Sequence, residues 1–467
     1  MDDVTAPLPF RYRQRPSAPR PAEGALGLVA LYRALRTNAI TIWGGDAYEL
    51  PIVVDRGPLG AFALLSDPEG IRRVLIDNAA NYPTDRLSLE KLSPALGQGV
   101  LTAGGADWRF QRRTLAPLFT PRAVEAYCGA MVETVAAMLA RWDAEPDDAP
   151  REVAHEMTRL TYAVISKTVF SDEIETSAEV MGAAITLYFE TLGRIDLWDF
   201  INLPSWVPRP SLLRVRPATR VFRTEVRRLL DHRRARIAAG ATVPEDLVTL
   251  LVRARDPESG SALPDDIVCD NLVTFIGAGH ETTANALSWT LYLLAEFPAA
   301  FERVAREVDA VIGRETPNRE HLGRLVVTRM TLEEAMRLYP PVPIVSRQAV
   351  AADVLAGAAI APKTRIIIAP WVLHRHRALW QECDLFEPER FAPERRHLIH
   401  RFAYLPFGGG PRVCMGQEFA MQEALIALAM IVQRYQVQPV AGVAVEPVAR
   451  MTLRPSNGLP LRLLRRA

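Results

Sequence analysis

The stretch that decides the fold of this chain reads FGGGPRVCMG and runs from Phe407 to Gly416. Three glycines, a proline and an arginine lead into one cysteine, Cys414, and apolar residues then recur at helical spacing. We therefore expect Cys414 to lie at or just before a helix N-terminus. At that place the helix dipole and the free backbone N–H groups favour a thiolate over a thiol. The stretch predicts a nucleophile, a redox sensor or a metal ligand.

A single thiolate can hold only a metal whose other ligands come from elsewhere. Haem iron is the main case, because the porphyrin supplies the nitrogens and the protein an axial sulfur. Glycine backbone can approach a flat ring closely, and Arg412 can pair with a haem carboxylate. One alternative is a buried, inert cysteine, which is the more common fate of a cysteine in general. The other is a phosphate-binding loop, which is unsupported because no Lys-Ser or Lys-Thr pair follows the glycines.

The composition narrows the class of protein. The chain has 467 residues, of which 49% are hydrophobic, and this is enough for a large buried core. A formal net charge of +1 gives no indication of nucleic acid or an anionic membrane as a partner. The four cysteines are far apart in sequence, so we expect a reducing cytoplasm and neither disulfides nor a zinc site. We find no signal peptide and no apolar run long enough for a membrane span.

The chain divides into a short arm and one large domain. Residues 1–24 are rich in proline and arginine, which predicts an extended arm. Residues 25–467 are predicted to form a single catalytic domain. Its β-rich part is expected mainly from 50–66, 342–370 and 437–464.

The remaining elements are predicted from apolar spacing and from proline and glycine. Helices are expected over 25–37, 122–142, 153–170, 178–192, 220–236 and 265–297. The helix over 220–236 is basic and reads as a solvated face. Residues 80–106 and 196–217 read as long loops, which are often functional. The second loop is either packed on the core by its own aromatic residues or forms a hydrophobic lid over a substrate entrance.

The longest predicted helix has an unusual centre, FIGAGHETT, over residues 275–283. Two glycines inside a helix cost about 1 kcal/mol each relative to alanine, so they need a reason. Thr282 can donate a hydrogen bond to the carbonyl of Ala278, four residues earlier, and bend the helix. A dinucleotide fingerprint is rejected because the third glycine is missing and no strand precedes. His280 is expected to face solvent or the core rather than to bind iron.

Three further motifs gain meaning only together. Trp108 and Arg112 are four residues apart and share one helix face, with Asp107 as the predicted N-cap. Glu334 and Arg337 can pair at three-residue spacing on a helix that two prolines end. A segment FEPERF follows at residues 386–391. Singly, each motif is ordinary, as a packed tryptophan or a surface ion pair.

Taken together, the motifs resemble the cytochrome P-450 family, the haem-thiolate monooxygenases. FGGGPRVCMG matches every fixed position of the family's cysteine loop, and AGHETT matches the distorted helix that crosses the distal face of haem. The Trp-x-x-x-Arg helix, the Glu-x-x-Arg helix and the Pro-x-Arg-Phe segment complete the set. Five motifs in the family's order over roughly the whole chain make the resemblance specific.

The resemblance implies a fold, a cofactor and a set of site residues. The fold is expected to be mainly α with a smaller β-rich part, with haem between the long central helix and the cysteine loop. The cofactor is expected to be haem b, iron protoporphyrin IX, with the Cys414 thiolate as axial ligand. The implied cofactor-binding residues are Trp108, Arg112, Ala278, Arg347, Phe407, Arg412, Cys414 and Gly416. Glu334, Arg337 and Arg390 are implied to form a buried triad that serves folding and haem retention.

The implied function is insertion of one oxygen atom of O2 into an apolar substrate. Thr282 and Glu281 are the implied catalytic residues, which deliver protons through ordered water. The pattern GHETT, with Phe419-Ala420 after the cysteine loop, resembles the fatty-acid-hydroxylating branches. The alternatives are a peroxygenase or isomerase, and a non-catalytic haem sensor, which would tolerate loss of Thr282.

The electrons are expected from a separate protein, a ferredoxin with its reductase or a flavodoxin, because the sequence has no flavin, nicotinamide or iron–sulfur motif. Arg109 and Arg113 lie on the predicted helix of Trp108 and are expected at the docking surface for the donor. Such rim charges govern encounter rate and salt dependence. The chain resembles the soluble bacterial type and is expected to be a cytoplasmic monomer.

Overall fold

Helices dominate the computed structural model, which describes residues 14–24, 26–57, 60–146, 149–173, 178–194, 199 and 210–466. The α-helices in these ranges are α1 Leu28–Thr37, α2 Pro68–Arg72, α3 Arg86–Leu96, α4 Gly105–Leu115, α5 Pro121–Glu125, α6 Cys128–Asp143, α7 Val153–Phe170, α8 Ala178–Leu192, α9 Pro210–Ala238, α10 Leu247–Arg253, α11 Asp265–Glu296, α12 Pro298–Val311, α13 Arg319–Arg324, α14 Val326–Leu338, α15 Pro370–Leu373 and α16 Gln417–Arg434. Within the described ranges, none of these helices has the length and apolarity needed to cross a bilayer.

The strands among the described residues form four small sheets. They are β1 Ile52–Gly57, β2 Gly60–Leu65, β3 Arg151–Glu152, β4 Val345–Gln348, β5 Asp353–Leu355, β6 Ala358–Ile360, β7 Arg365–Ile368, β8 Tyr435–Pro439, β9 Pro447–Ala449, β10 Leu453–Pro455 and β11 Pro460–Arg465. The largest sheet has the order β1-β2-β7-β4, with β2 parallel to β7 and the other pairs antiparallel. The other sheets are β3-β11-β8, β10-β9 and β5-β6. The predicted fold class, mainly α with a smaller β-rich part, is confirmed.

The helix α11 joins two hydrophobic cores. Its residues 284–295 pack in a large cluster with α6, α12, α14 and α16, and its residues 268–276 pack in a second cluster with α3, α7, α8 and α9. The unusual centre of the helix lies between the two. A Cβ on Gly279 would lie 3.1 Å from Ile165 Cδ1 of α7, so close helix packing explains this glycine. Thr161 of α7 also donates a 2.9 Å hydrogen bond to the carbonyl of His280.

The predicted loop over 80–106 is wrong in part, because it contains α3. Asp85 caps this helix and accepts hydrogen bonds from the N–H groups of Leu87 and Ser88. Near its other end, the hydroxyl of Tyr188 bonds to the carbonyls of Lys91 and Leu92, at 2.7 and 3.1 Å. The support from α8 is long-range, and Pro94 and the nearby glycines hid the helix from a local reading.

Two helix boundaries also differ from the prediction. The helix predicted over 122–142 is interrupted near Tyr127 and forms α5 and α6. Asp107 is not the N-cap of α4, because the helix begins at Gly105 and Gly104 is the cap residue. Asp107 instead lies in the first turn, where its charge still favours the positive end of the helix dipole.

The basic helix predicted over 220–236 is part of α9, and it is not simply a solvated face. Arg233 is fully buried and pairs with Asp246 and with Glu173, the latter at 2.7 Å. Residues 210–217 of the predicted second loop form the first turns of α9. The aromatic residues of that loop, Trp198, Phe200 and Trp206, lie outside the described residues.

The described part of the N-terminal arm, residues 14–24, contains no helix and lies along the domain. The N–H of Ala22 donates to the carbonyl of Trp43 at 2.9 Å. The hydroxyl of Tyr339, a buried residue next to α14, donates to the carbonyl of Ser17 at 2.7 Å. These contacts attach the arm to the core that surrounds α11.

Candidate active site

The cysteine loop is closed by its own backbone. The N–H of Cys414 donates a 2.9 Å hydrogen bond to the carbonyl of Phe407, and α16 begins three residues later with Gly416 as its N-cap. Cys414 therefore lies just before a helix N-terminus, as predicted. Gly410 has a φ of +70°, and a Cβ there would collide with the carbonyl oxygen of Leu75. This position therefore requires glycine.

Cys414 is accessible to solvent, although many protein atoms lie around its thiol. Burial raises the pKa of the Cys414 thiol, and the N–H of Gly416 and the charge of Arg112 oppose this rise. A Cβ on Gly416 would meet only the Cys414 sulfur, at 4.0 Å. The space around the Gly416 backbone is therefore open.

Three arginines from different elements lie near one another, and Arg112 is also near the Cys414 sulfur. They are Arg112 of α4, Arg347 of β4 and Arg412 of the cysteine loop. Burial, followed by the charges of Arg347 and Arg112, lowers the pKa of Arg412 to about 10. Burial also lowers the pKa of each of the other two. The three guanidiniums are therefore desolvated and repel one another, which is costly without an anion.

The described residues give these arginines little compensation. Arg412 donates to the carbonyl of Ala103 at 2.8 Å, and its guanidinium lies 4.6 Å from the ring centre of Trp108. Arg347 donates only to the carbonyl of Ser346, at 2.8 Å. Among the described residues, no carboxylate forms a salt bridge with Arg112, Arg347 or Arg412. The cluster fits the two carboxylates of a haem, as guanidiniums bind carboxylates best.

On the central helix, the hydroxyl of Thr282 donates a 2.6 Å hydrogen bond to the carbonyl of Ala278, as predicted. The neighbouring Glu281 is buried, and its Oε1 accepts hydrogen bonds from Thr452 at 2.5 Å and from Arg454 at 2.8 Å. Burial raises the pKa of Glu281, and Arg454 opposes this. Oε2 has no hydrogen-bond partner among the described residues. One oxygen of the carboxyl is therefore fixed, and the other is buried without a partner among the described residues.

His280 belongs to the core, which decides between the two expected positions. It is 1% exposed and packs edge-on against Tyr162 of α7, with ring centres 6.0 Å apart. Burial lowers its pKa to about 4, so the imidazole is neutral at pH 7. A solvent-facing histidine is excluded.

A small apolar hollow lies beside the same stretch of α11. Residues of α3, α8, α9 and α11 line it: Ala95, Leu96, Ile185, Tyr188, Phe222, Val273, Ile276 and Gly277. The lining side chains are apolar except for the Tyr188 hydroxyl, which already bonds to α3. Sequence reasoning missed the residues from α8 and α9, because nothing local distinguishes them from ordinary core residues.

The implied triad comes together as one buried cluster. Arg337 donates all five of its N–H groups: two to the carboxylate of Glu334, at 2.6 and 2.8 Å, and three to backbone carbonyls at 2.7 to 2.9 Å. Arg390 lies 3.4 Å from the same carboxylate. Glu334 and Arg337 are fully buried. The charges are thus compensated inside the protein.

His374 links this cluster to the cysteine loop, and sequence reasoning missed it. Its Nε2 accepts a 2.9 Å hydrogen bond from the N–H of Leu405, so Nδ1 is the atom that donates to the carbonyl of Arg337, at 3.2 Å. Burial and the charge of Arg337 lower its pKa to about 3, which keeps the ring neutral. The signal available in the sequence was only a histidine among aromatic residues.

Arg113, which the sequence places at the docking surface, forms ion pairs within the chain, and its role in docking stays a prediction. Its guanidinium donates two hydrogen bonds to Asp256, at 2.9 and 3.1 Å, and lies 3.0 Å from Glu258. Asp256 is buried and 143 positions away in sequence, so no local pattern could reveal the pair. Arg109, on the same helix, is exposed.

A lone cysteine beside an arginine cluster, together with a long glycine-containing helix, fits a haem-thiolate protein. The chain belongs to the cytochrome P450 family, whose family model matches residues 59–461. Members of this family carry haem with a cysteine axial ligand and are monooxygenases, so this protein is an oxidoreductase of that class.

Three relatives illustrate the breadth of the similarity. Cyclooctatin synthase of Streptomyces melanosporofaciens is 33% identical over 421 residues, which are 90% of this chain and 88% of that protein. Cytochrome P450 4A14 of Rattus norvegicus is 30% identical over 420 residues, 86% of this chain and 81% of the relative. The bifunctional cytochrome P450/NADPH–P450 reductase ALT2 of Alternaria alternata is 30% identical over 379 residues, 79% of this chain but 34% of the relative.

Proposed function

We propose that this monooxygenase hydroxylates an apolar small molecule, with O2 as oxidant and with electrons from a separate donor protein. The observation that supports this best is the apolar hollow beside Gly277, one helical turn from Glu281 and Thr282. The apolar side chains there would contact a hydrocarbon group that lies next to the residues that handle protons. A fatty-acid-like chain or another hydrophobic small molecule is the proposed substrate class.

Cys414 and the carboxylate-binding cluster would hold the haem; the cluster consists of Trp108, Arg112, Arg347 and Arg412. The bound haem would supply oxygen activation, which the thiolate would favour by donating electron density. Phe407, Gly416 and Ala278 are proposed to contact the ring. The fit rests on the accessible sulfur, the open space beside Gly416 and the uncompensated arginines.

The proposed proton route uses the hydroxyl of Thr282 and the free oxygen of Glu281. The hydroxyl hydrogen of Thr282 bonds to the carbonyl of Ala278, so the hydroxyl oxygen can still accept a hydrogen bond from a water molecule. Oε2 of Glu281 has no described partner and can exchange a proton with such a water. Together the two groups can hold a water and pass a proton to it.

The electron donor is proposed to dock in the groove under the cysteine loop. Residues 405–410 line this groove together with Arg329, Arg396 and Arg401 and with Glu333 and Glu418. Arg396 is paired with Glu333, so Arg329 and Arg401 are the arginines proposed to meet a small acidic ferredoxin or a flavodoxin, because opposite charges raise the encounter rate. The Alternaria alternata relative is a bifunctional P450 and NADPH–P450 reductase, which supports a donor that is supplied by a reductase. The cytoplasmic location, the monomeric state and the division into arm and domain stay predictions.

The function is tested by screening apolar compounds for a spin-state change of the haem and then measuring turnover with a ferredoxin and its reductase. The reduced protein with carbon monoxide should show the strongly red-shifted Soret band of thiolate ligation, and Cys414→Ser should lose it. Thr282→Ala should still bind haem and substrate but release more peroxide and less product. Turnover with reduced nicotinamide alone, or an unchanged band in Cys414→Ser, would contradict the proposal.

A further inference from the structure

Arg454, in β10, contacts carboxylates from two different helices. Its Nη2 lies 2.8 Å from Oε1 of Glu281 in α11, and its Nη1 lies 3.1 Å from Oε1 of Glu190 in α8. Thr452, two residues earlier, donates to the same oxygen of Glu281 at 2.5 Å. The side chain of Glu281 is 11% exposed and that of Glu190 is 41% exposed. The guanidinium thus connects a buried carboxylate to one that reaches solvent.

We propose that Arg454 is a positioning residue for Glu281, which it keeps ionised and oriented. Glu190 on α8 competes for the same guanidinium and so controls how strongly Arg454 stabilises the ionised form of Glu281. The inference rests on the proton role proposed above for Glu281. It assigns a function to residues that are far from the cysteine loop in sequence.

An ionised Glu281 needs this partner because the carboxyl is desolvated. Burial raises the pKa of Glu281, the charge of Arg454 and the hydrogen bond from Thr452 lower it, and the negative charge of Glu190 raises it again. A cation at such a distance lowers a carboxyl pKa by about 1 to 3 pH units. Without Arg454 the carboxyl would keep its proton to a higher pH and would take up the next one less readily. With Arg454 and Thr452 on Oε1, only Oε2 is left to exchange protons.

The geometry favours arginine over lysine. Two separate nitrogens of one planar guanidinium serve the two carboxylates at the same time, whereas a lysine offers a single point charge. Glu190 is on the helix that contributes Ile185 and Tyr188 to the apolar hollow. A substrate that shifts α8 therefore changes the distance from Glu190 to Arg454, and with it the charge that Glu281 experiences.

Arg450 provides a matched control for this proposal. Its guanidinium lies 3.9 Å from the same Glu190 oxygen, and it does not contact Glu281. Arg450→Met therefore removes an arginine that lies just before β10 and contacts the same glutamate of α8, but it leaves the partner of Glu281 in place. Arg454→Met removes that partner with little change in side-chain length.

The first test reads the ionisation of Glu281 directly in the haem-loaded protein, without turnover. The infrared band of a protonated carboxyl is followed against pH as the difference between each protein and its Glu281→Gln counterpart. Arg454→Met should move this titration to higher pH by about 1 pH unit or more. Glu190→Gln should move it to lower pH, and Arg450→Met should leave it in place. A titration that Arg454→Met does not move would overturn the proposal.

The second test measures the ratio of peroxide to product during turnover. Arg454→Met should raise the ratio as far as Glu281→Gln does, and the double variant should be no worse than either, because the two residues act as one unit. Arg454→Lys, which keeps the charge, should restore part of the coupling even if Arg454→Met folds poorly. Additive effects would overturn the proposal. If the infrared titration moves but Glu281→Gln remains fully coupled, the positioning role holds and the proton role of Glu281 fails.

Discussion

Two groups of desolvated arginines differ in what surrounds them. Arg337 and Arg390, the arginines of the buried triad, are surrounded by a carboxylate and by backbone carbonyls. Arg112 and Arg412 near the sulfur face each other and, within the described residues, have no carboxylate to pair with. The first group is complete in the protein alone. The second group is complete only when an anion is added.

The difference shows how to separate structural charges from binding charges. An arginine cannot lose its proton, so burial always demands a partner. Where the chain supplies that partner, the arginine belongs to the fold, and the loss of either member leaves a charge exposed to a low dielectric. Where the chain supplies no partner, the arginine is a buried charge without compensation. Such exceptions to the pairing of buried charges concentrate at functional sites. Each prediction below separates the two groups further or removes the distinction between them.

The largest effect is expected from Glu334→Ala, which removes the carboxylate that completes the first group. The variant leaves Arg337 and Arg390 buried without a carboxylate, and we expect a loss of about 3–5 kcal/mol in the free energy of unfolding, with haem-poor protein. Urea unfolding and the haem content of the purified protein measure this.

The control for this change is Glu69→Ala. Glu69 also pairs with an arginine three residues later, Arg72, but both side chains are more than half exposed. That variant should lose no more than about 0.5 kcal/mol. A Glu334→Ala protein that is fully loaded with haem and only slow would place the triad in catalysis instead.

For the second group, we expect a substitution to weaken haem binding without lowering the stability of the apoprotein. Arg112→Met removes a half-buried charge with no described partner, so the apoprotein should not lose stability, whereas haem affinity should fall. A hydrogen bond to a charged group contributes about 1.5–3 kcal/mol, which corresponds to a ten- to hundredfold weaker haem complex. Transfer of haem to an excess of apomyoglobin measures the affinity.

Arg109→Met on the same helix serves as the control, because Arg109 is exposed. It should leave haem transfer unchanged. An Arg112→Met protein that loses stability without haem but retains haem normally would show that Arg112 belongs to the first group.

The sequence was sufficient for features that rest on local chemistry. The cysteine loop, the bounds of α7, α8 and α11, and the hydrogen bond from Thr282 to Ala278 follow from glycine, proline and apolar spacing. The sequence was insufficient where a distant partner decides the outcome. α3 depends on Tyr188, Arg113 depends on Asp256, and Glu281 depends on Arg454. The sequence around a charged residue does not show which distant residue will neutralise it.

The first group should also be sensitive to acid through His374, which must be neutral to accept from Leu405. Its pKa is lowered to about 3 in the folded protein, while the unfolded value is near 6.5. The unfolded chain therefore binds the extra proton, and stability falls as pH drops below about 6.5. At pH 5 this group alone should cost about 2 kcal/mol relative to pH 7.

The measurement is the free energy of unfolding at pH 7 and at pH 5 for wild type, His374→Gln and His397→Gln. His374→Gln should lose about 2 kcal/mol less between the two pH values than wild type. His397 is exposed, and its replacement should leave the pH dependence as it is. Equal pH dependence in all three proteins would show that His374 is not held neutral by the fold.

The smallest effect is expected at the surface, where Arg109 and Arg113 extend the comparison outside the core. Arg113 is already paired with Asp256 and Glu258, whereas Arg109 is exposed and free to meet an acidic donor. Arg109→Glu should slow reduction of the haem by a ferredoxin by roughly a factor of a few at low salt, because rim charges act on the encounter rate. Arg113→Met should leave that rate unchanged. The difference should vanish near 1 M salt, where the Debye length is about 3 Å. Stopped-flow reduction at several salt concentrations measures both variants, and a slower rate in Arg113→Met that persists at high salt would mean that the Asp256 pair supports the docking surface itself.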